Sequence, residues 1–223
     1  MKKTGLFILI SLFALNFTAC KEELEIWDSE TVEYSGRYVF KLLDEEMTST
    51  LIDYGSYEIR IYNTSDNLPN IVWIEDGEAV FPLKSKFTLT GDASSFKSAS
   101  EDFAQLDNNI VSTEEQPKPA PTAAGQTIDV EEKEYIRASI LEGKILPDAA
   151  TSPGGNKTDS LYIKIKLYSG TATYTSYEVP VVLRKDPEKA EFAWKFQSAT
   201  HNPDLDEVYV IGGYRYTGFP EDM

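Results

Sequence analysis

The sequence predicts an all-β protein, an antiparallel barrel of about eight to ten strands, with a β-sandwich as the alternative. Three observations lead there. Apolar and polar residues alternate with period 2 over most of the chain, and a helical period is hard to find. Aromatic residues are plentiful, 13 Tyr, 11 Phe and 3 Trp, and such side chains pack well on a pleated surface. Turn signals break the alternating runs at short intervals, and no repeat at solenoid spacing occurs.

The chain opens with the three parts of a secretory signal. Lys2 and Lys3 supply positive charge, Gly5 to Ala14 is an apolar run, and the small residues Thr18 and Ala19 precede Cys20. The apolar run falls short of the roughly 20 residues of a membrane span. The expectation is that residues 1–19 are removed and that Cys20, the sole cysteine, becomes a lipid-modified first residue. Several acyl chains would hold such a protein stably at a membrane without a transmembrane helix. Phe17-Thr18-Ala19-Cys20 resembles a lipobox, with Phe17 where Leu is more usual. Lys21-Glu22-Glu23 resembles the lipoprotein export signal of Bacteroides-type bacteria, which implies display on the outer face of the outer membrane.

Residues 20–30 read as the lipidated cysteine and an acidic tether, and residues 31–223 as a single barrel-like domain. In its first strand Val32, Tyr34, Gly36, Tyr38, Phe40 and Leu42 share one face, with Gly36 marking a bend. Tyr57, Ile59 and Ile61 oppose Glu58 and Arg60 in the second. Asp76-Gly77, between Ile71–Ile74 and Ala79–Leu83, predicts a two-residue hairpin turn, and Phe87 and Leu89 continue the meander. Ser94 to Ser100 is polar, and Glu101 to Leu106 suits one helical turn. Residues 113–126, with Pro117, Pro119 and Pro121, read as an extended exposed loop inserted in the domain. Ile128 to Leu146 should turn near Glu142-Gly143-Lys144. Leu161, Ile163, Ile165 and Leu167 against Tyr162, Lys164 and Lys166 form the cleanest strand. Ser169-Gly170 turns it toward Tyr177, Val179, Val181 and Leu183, with Pro180 implying an edge or bulge. Phe192, Trp194 and Phe196 alternate next, and Val208, Val210, Gly212, Tyr214 and Tyr216 close the chain.

Charge excludes some partners. Loss of residues 1–19 leaves 204 residues and changes the formal charge from −16 to −18, since Lys2 and Lys3 leave with the signal. Nucleic acid and anionic headgroups both call for clustered Lys and Arg, so neither is an expected partner. With Cys20 consumed, the domain has no disulfide and no cysteine-ligated metal.

Several stretches resemble one family of lipoproteins from Bacteroidota. They are Ile61-Tyr62-Asn63-Thr64-Ser65, Gly143 to Leu146 running on to Thr151-Ser152-Pro153-Gly154-Gly155, Thr158-Asp159-Ser160, and Gly213 to Asp222. The most specific piece is Thr217-Gly218-Phe219-Pro220-Glu221-Asp222. The family is labelled "lipid-binding putative hydrolase" and described as calycin-like. The resemblance implies a lipocalin-related barrel with an apolar interior and a lipid or other apolar small-molecule ligand. It supplies no catalytic motif that maps onto residues of this chain.

The residues themselves offer no recognisable active site. No Gly-x-Ser-x-Gly elbow and no His-Glu-x-x-His pair occurs, and the sole histidine, His201, sits in a polar turn. A hydrolase would need His201 within reach of a serine or carboxylate in a cleft. Of the acidic clusters, Glu75-Asp76-Glu78, Glu131-Glu132-Glu134 and Asp204-Asp206-Glu207, the last would be the best calcium ligand set, but none has EF-hand spacing. No metal or cofactor is expected. Candidate ligand contacts are Tyr34, Tyr38, Phe40, Trp194, Tyr214 and Arg215, although aromatic stripes at period 2 are more often plain core. Arg215, flanked by two tyrosines, is either a structural arginine, the preferred reading, or a clamp for a carboxylate headgroup. A second function class, glycan capture or adhesion with an outer-membrane protein partner, would place aromatics such as Trp73 or Trp194 on an exposed face.

Overall fold

The computed structural model describes residues 29–55, 57–77, 80, 82–111, 117–131 and 135–222. Cys20, Lys21, Glu22 and Glu23 lie outside the described residues. Eight antiparallel strands close into a barrel. In order around the wall these are β1 (Gly36–Asp44), β3 (Glu58–Asn63), β4 (Ile71–Glu75), β5 (Lys84–Asp92), β6 (Ser95–Ser98), β8 (Arg137–Thr151), β9 (Lys157–Tyr168) and β12 (Glu207–Arg215), which pairs back onto β1. Closure leaves no unpaired edge around the ring, and that settles barrel against sandwich. A short strand, β2 (Thr50–Ile52), adds to β1 beyond the end of its pairing with β3.

Period 2 supplies the core. Tyr38, Phe40 and Leu42 of β1, Ile59 and Ile61 of β3, and Leu161, Ile163, Ile165 and Leu167 of β9 all point inward into one apolar cluster. Tyr162, Lys164 and Lys166 face outward, as the alternation requires. Each buried aliphatic side chain contributes about 1.5–3 kcal/mol, so this cluster is the main source of stability. One interior layer runs Leu42, Ile211, Ile163, Gly143, Phe96 across successive strand pairs. There the Phe96 ring occupies the space a Cβ on Gly143 would need. The glycine therefore serves close packing inside a strand, and the expected turn at 142–144 is replaced by a bulge between Ile140 and Glu142.

A second sheet stands at one end of the barrel, formed by β7 (Thr127–Glu131), β10 (Gly170–Glu178) and β11 (Phe192–His201) in the order β11-β10-β7. It grows from the barrel wall, since β9 runs through Ser169 into β10, and β11 returns through residues 202–206 into β12. Ala172, Tyr174 and Trp194 form its apolar face with Ile128, Val130 and Phe196. Phe103, Leu106, Ile136 and Tyr168 make a separate small cluster with Ala199.

Other expectations shift for local reasons. Residues 31–35 form a turn, not the start of a strand, because Ser35 N–H bonds back to the Thr31 carbonyl. β4 and β5 pair out to Glu75 and Lys84, with residues 76–83 between them along the chain, and Val80 N–H is capped by Asp76, so Asp76-Gly77 is not a two-residue turn. The serine-rich stretch contributes β6, and the expected helical turn is a 3-10 turn at Phe103–Gln105 capped by Asp102. Val181–Leu183 leaves the strand after Pro180 as an exposed 3-10 turn. The Pro-rich loop is partly packed, for Pro121 is buried and the Pro119 carbonyl accepts from Trp194 Nε1 at 2.9 Å.

Candidate functional site

At the end of the barrel away from the second sheet lies a solvent-open cavity of about 820 Å³. Its floor is Ile145 of β8 and Ala93 of the β5–β6 turn, both members of the barrel core, joined by a 2.7 Å bond from Ile145 N–H to the Ala93 carbonyl. Val32 and Pro147 extend the apolar wall. Glu33, Asp92, Ser94, Asp159 and Arg215 complete the lining. An apolar pocket of this size with a few convergent polar groups is the usual form of a small-molecule site. Three other clefts, of about 280 to 340 Å³, are much smaller.

The turn at residues 31–35 shapes the mouth. Tyr34 packs edge-on against Phe96, with ring centroids 5.3 Å apart, and its hydroxyl donates to the Gly91 carbonyl. Beneath it the Tyr38 hydroxyl donates to the Tyr34 carbonyl at 3.0 Å, and burial pushes the Tyr38 phenol up to about 12. Tyr34, Tyr38 and Phe40 are thus packed core beside the cavity and not its lining.

Arg215, the last residue of β12, does line the cavity, and its guanidinium is already partly engaged. Its plane lies over the Tyr38 ring, 5.2 Å from the centroid, and Nη1 donates to the Ser35 carbonyl. Its Nε sits 2.8 Å from Asp159 Oδ2, a charge contact without hydrogen-bond alignment. Across the mouth, Asp92 accepts from the Ser94 hydroxyl at 2.6 Å and from the backbone N–H groups of Ser94 and Ser95. Those bonds, the serine hydroxyl first, hold its carboxyl below the usual range. The lining therefore carries three carboxylates against one guanidinium.

The other sequence candidates lie elsewhere. Trp194 belongs to the second sheet, where it is buried. Tyr214 faces outward on the barrel wall, packed against Tyr54 and donating to the Asp222 carbonyl. His201 stacks on Phe103 at 4.6 Å, and its Nε2 bonds to Asp206 at 2.9 and 3.0 Å. Asp206 also holds Lys166, and Glu207 accepts from Tyr209, so both of these acids are engaged in pairing. Among the described residues no serine hydroxyl bonds to His201, and no group of three or more His, Cys, Asp or Glu stands ready to hold a metal.

A further constellation joins the stretches singled out in the sequence. The Asp222 carboxylate is fully buried and accepts from the Ser152 hydroxyl at 2.6 Å, Gly154 N–H at 2.9 Å, Asn156 Nδ2 at 3.0 Å and the Thr217 hydroxyl. Gly154 is required there, because a Cβ would overlap the carboxylate. Thr158 donates to the Arg215 carbonyl at 2.7 Å. The β8–β9 hairpin and the C-terminal tail are latched together, and the latch adjoins Asp159 and Arg215 at the mouth.

The family model described as lipid-binding putative hydrolase matches residues 23–220. The chain belongs to that family. Family membership and the barrel are both consistent with apolar ligand binding, which the apolar floor of Ala93 and Ile145 suits. No curated protein matches the chain. Ala93, Ile145 and Asp159 are site residues that sequence reading did not single out. Ile145 and Asp159 nevertheless fall within the Gly143–Leu146 and Thr158–Ser160 stretches that carry the resemblance.

Proposed function

We propose that this chain is a lipid-anchored surface protein that binds a lipid or another apolar small molecule in the cleft at the barrel mouth. The observation that carries the reading is the cavity of about 820 Å³ floored by Ala93 and Ile145 at the open end of a closed barrel. Membership of a lipid-binding family supports the ligand class. The ligand enters from the end, since the barrel's mid-section holds the inward-facing core side chains. The anchor is supported by the signal pattern of residues 1–19, the lone Cys20 and the Lys21-Glu22-Glu23 triplet that follows. Val32 and Glu33 line the cavity close to the first described residue, which supports a tether that meets the barrel near this mouth. Eight residues, 21–28, reach at most about 30 Å when fully extended, which keeps the cleft near the bilayer that supplies its ligand.

Mass spectrometry tests both halves. Residues 22–223, purified without detergent, should show under native conditions a stoichiometric added mass that organic solvent releases as a lipid. The full-length protein expressed in a bacterial host and recovered from its membranes should begin at Cys20 and carry acyl chains. A soluble fragment that stays at its own mass after incubation with a bacterial lipid extract would sink the ligand reading. A full-length protein that retains residues 1–19 would sink the anchor.

A further inference from the structure

We propose that the cleft selects an amphiphile with a positively charged, amine-type head and discriminates against a carboxylate head. This inference rests on the ligand-binding reading above and deepens it. A lone arginine at the mouth of an apolar cleft would ordinarily be assigned to an anionic headgroup, by the bidentate pairing such groups favour. Here that assignment fails on charge. The Arg215 guanidinium is held by Asp159, by the Ser35 carbonyl and over the Tyr38 ring. A carboxylate that reached its remaining N–H groups would set a second negative charge against a guanidinium already balanced by Asp159, itself only about a quarter exposed, and beside Asp92 and Glu33.

What the lining leaves unpaired is negative. Asp92 is fixed by three hydrogen bonds from its own turn, none of them from a cation, and Glu33 is exposed on the facing turn. An ammonium placed above the Ala93–Ile145 floor would find Asp92 and Glu33 around the rim while its tail covers the apolar surface. Both carboxylates are exposed to solvent, so the attraction is strongest at low ionic strength. The same field would repel a carboxylate or force it to take up a proton.

The test compares dodecylamine, dodecanol and dodecanoic acid, each below its aggregation threshold, by calorimetry on residues 22–223 at low ionic strength. One tail length is used so that only the head differs. The amine should bind about tenfold or more tightly than the acid, with the alcohol between them, and added salt should narrow the gap. In E33Q/D92N, which removes two charges from a protein that keeps most of its excess negative charge, the amine preference should fall to within about threefold. In S94W, which places an indole in the cavity, it should vanish with binding itself. An acid that binds as tightly as the amine would overturn the proposal while leaving the binding site standing. An amine preference that survives S94W unchanged would also overturn it, because the preference would then belong to the protein's general charge. Failure of all three compounds to bind would overturn the underlying ligand-binding reading as well.

Discussion

Replacing Asp222 with alanine is expected to lower the melting temperature by about 5–10 °C, a large effect for a residue one place from the end of the chain. The carboxylate accepts from Ser152, Gly154, Asn156 and Thr217 at once. Its removal takes away the acceptor shared by all four, and Ser152, the buried one, is left without a partner there. A buried donor without an acceptor costs more than the loss of the bond alone. The pH dependence should carry the same signature. The Ser152 hydroxyl, followed by Thr217, holds the Asp222 carboxyl down at about 2. An acid whose folded pKa lies below its unfolded value stabilises fully above the unfolded value, near pH 4, and loses that contribution as pH falls toward 2. Thermal melts between pH 5 and 2 should therefore fall more steeply for the wild type than for Asp222→Ala. Curves that run parallel, or an unchanged melting temperature, would show that the tail contributes no latch.

Substituting Ser94 with tryptophan should reduce binding of a neutral amphiphile about tenfold or more while leaving the fold in place. Ser94 is exposed on the β5–β6 turn and lines the cavity, so the indole has open space to enter and no core to displace. The change forfeits the bond from the Ser94 hydroxyl to Asp92, a minor loss on an exposed turn, but the backbone bonds of that turn remain. Titration calorimetry with dodecanol, alongside a thermal melt, separates the two effects. Full retention of affinity in a folded Ser94→Trp protein would place the ligand elsewhere.

How much of this was legible beforehand depends on the range of the contacts involved. Strand β9 was readable because Leu161, Ile163, Ile165 and Leu167 alternate with Tyr162, Lys164 and Lys166, and alternation is a local signal. Gly143 was misread as a turn because its reason for being glycine is Phe96, nearly fifty residues away in sequence. Asp76-Gly77 has two-residue turn chemistry, but the register of β4 on β5 pairs Glu75 with Lys84, too far apart in sequence for such a turn. Trp194 alternates with Phe192 and Phe196 as a barrel strand would, and nothing local marks β10 and β11 as leaving the barrel to pair with β7. The cleft draws on five separate segments, and only Arg215 among its residues stood out in the sequence. Its partner Asp159 and the Asp222 latch lay inside recognised stretches whose role became apparent only when the β8–β9 hairpin met the C-terminal tail.

Ligand binding at the barrel mouth requires that an apolar tail seat on Ala93 and Ile145. The most direct measurement is methyl-labelled NMR of residues 22–223 during titration with a neutral amphiphile such as dodecanol. The Ala93 and Ile145 methyl resonances should shift saturably, with Val32, while those of Ile128 and Val130 on the second sheet stay still. Saturable shifts confined to the second sheet, or no shift at Ala93 and Ile145 at saturating ligand, would contradict it.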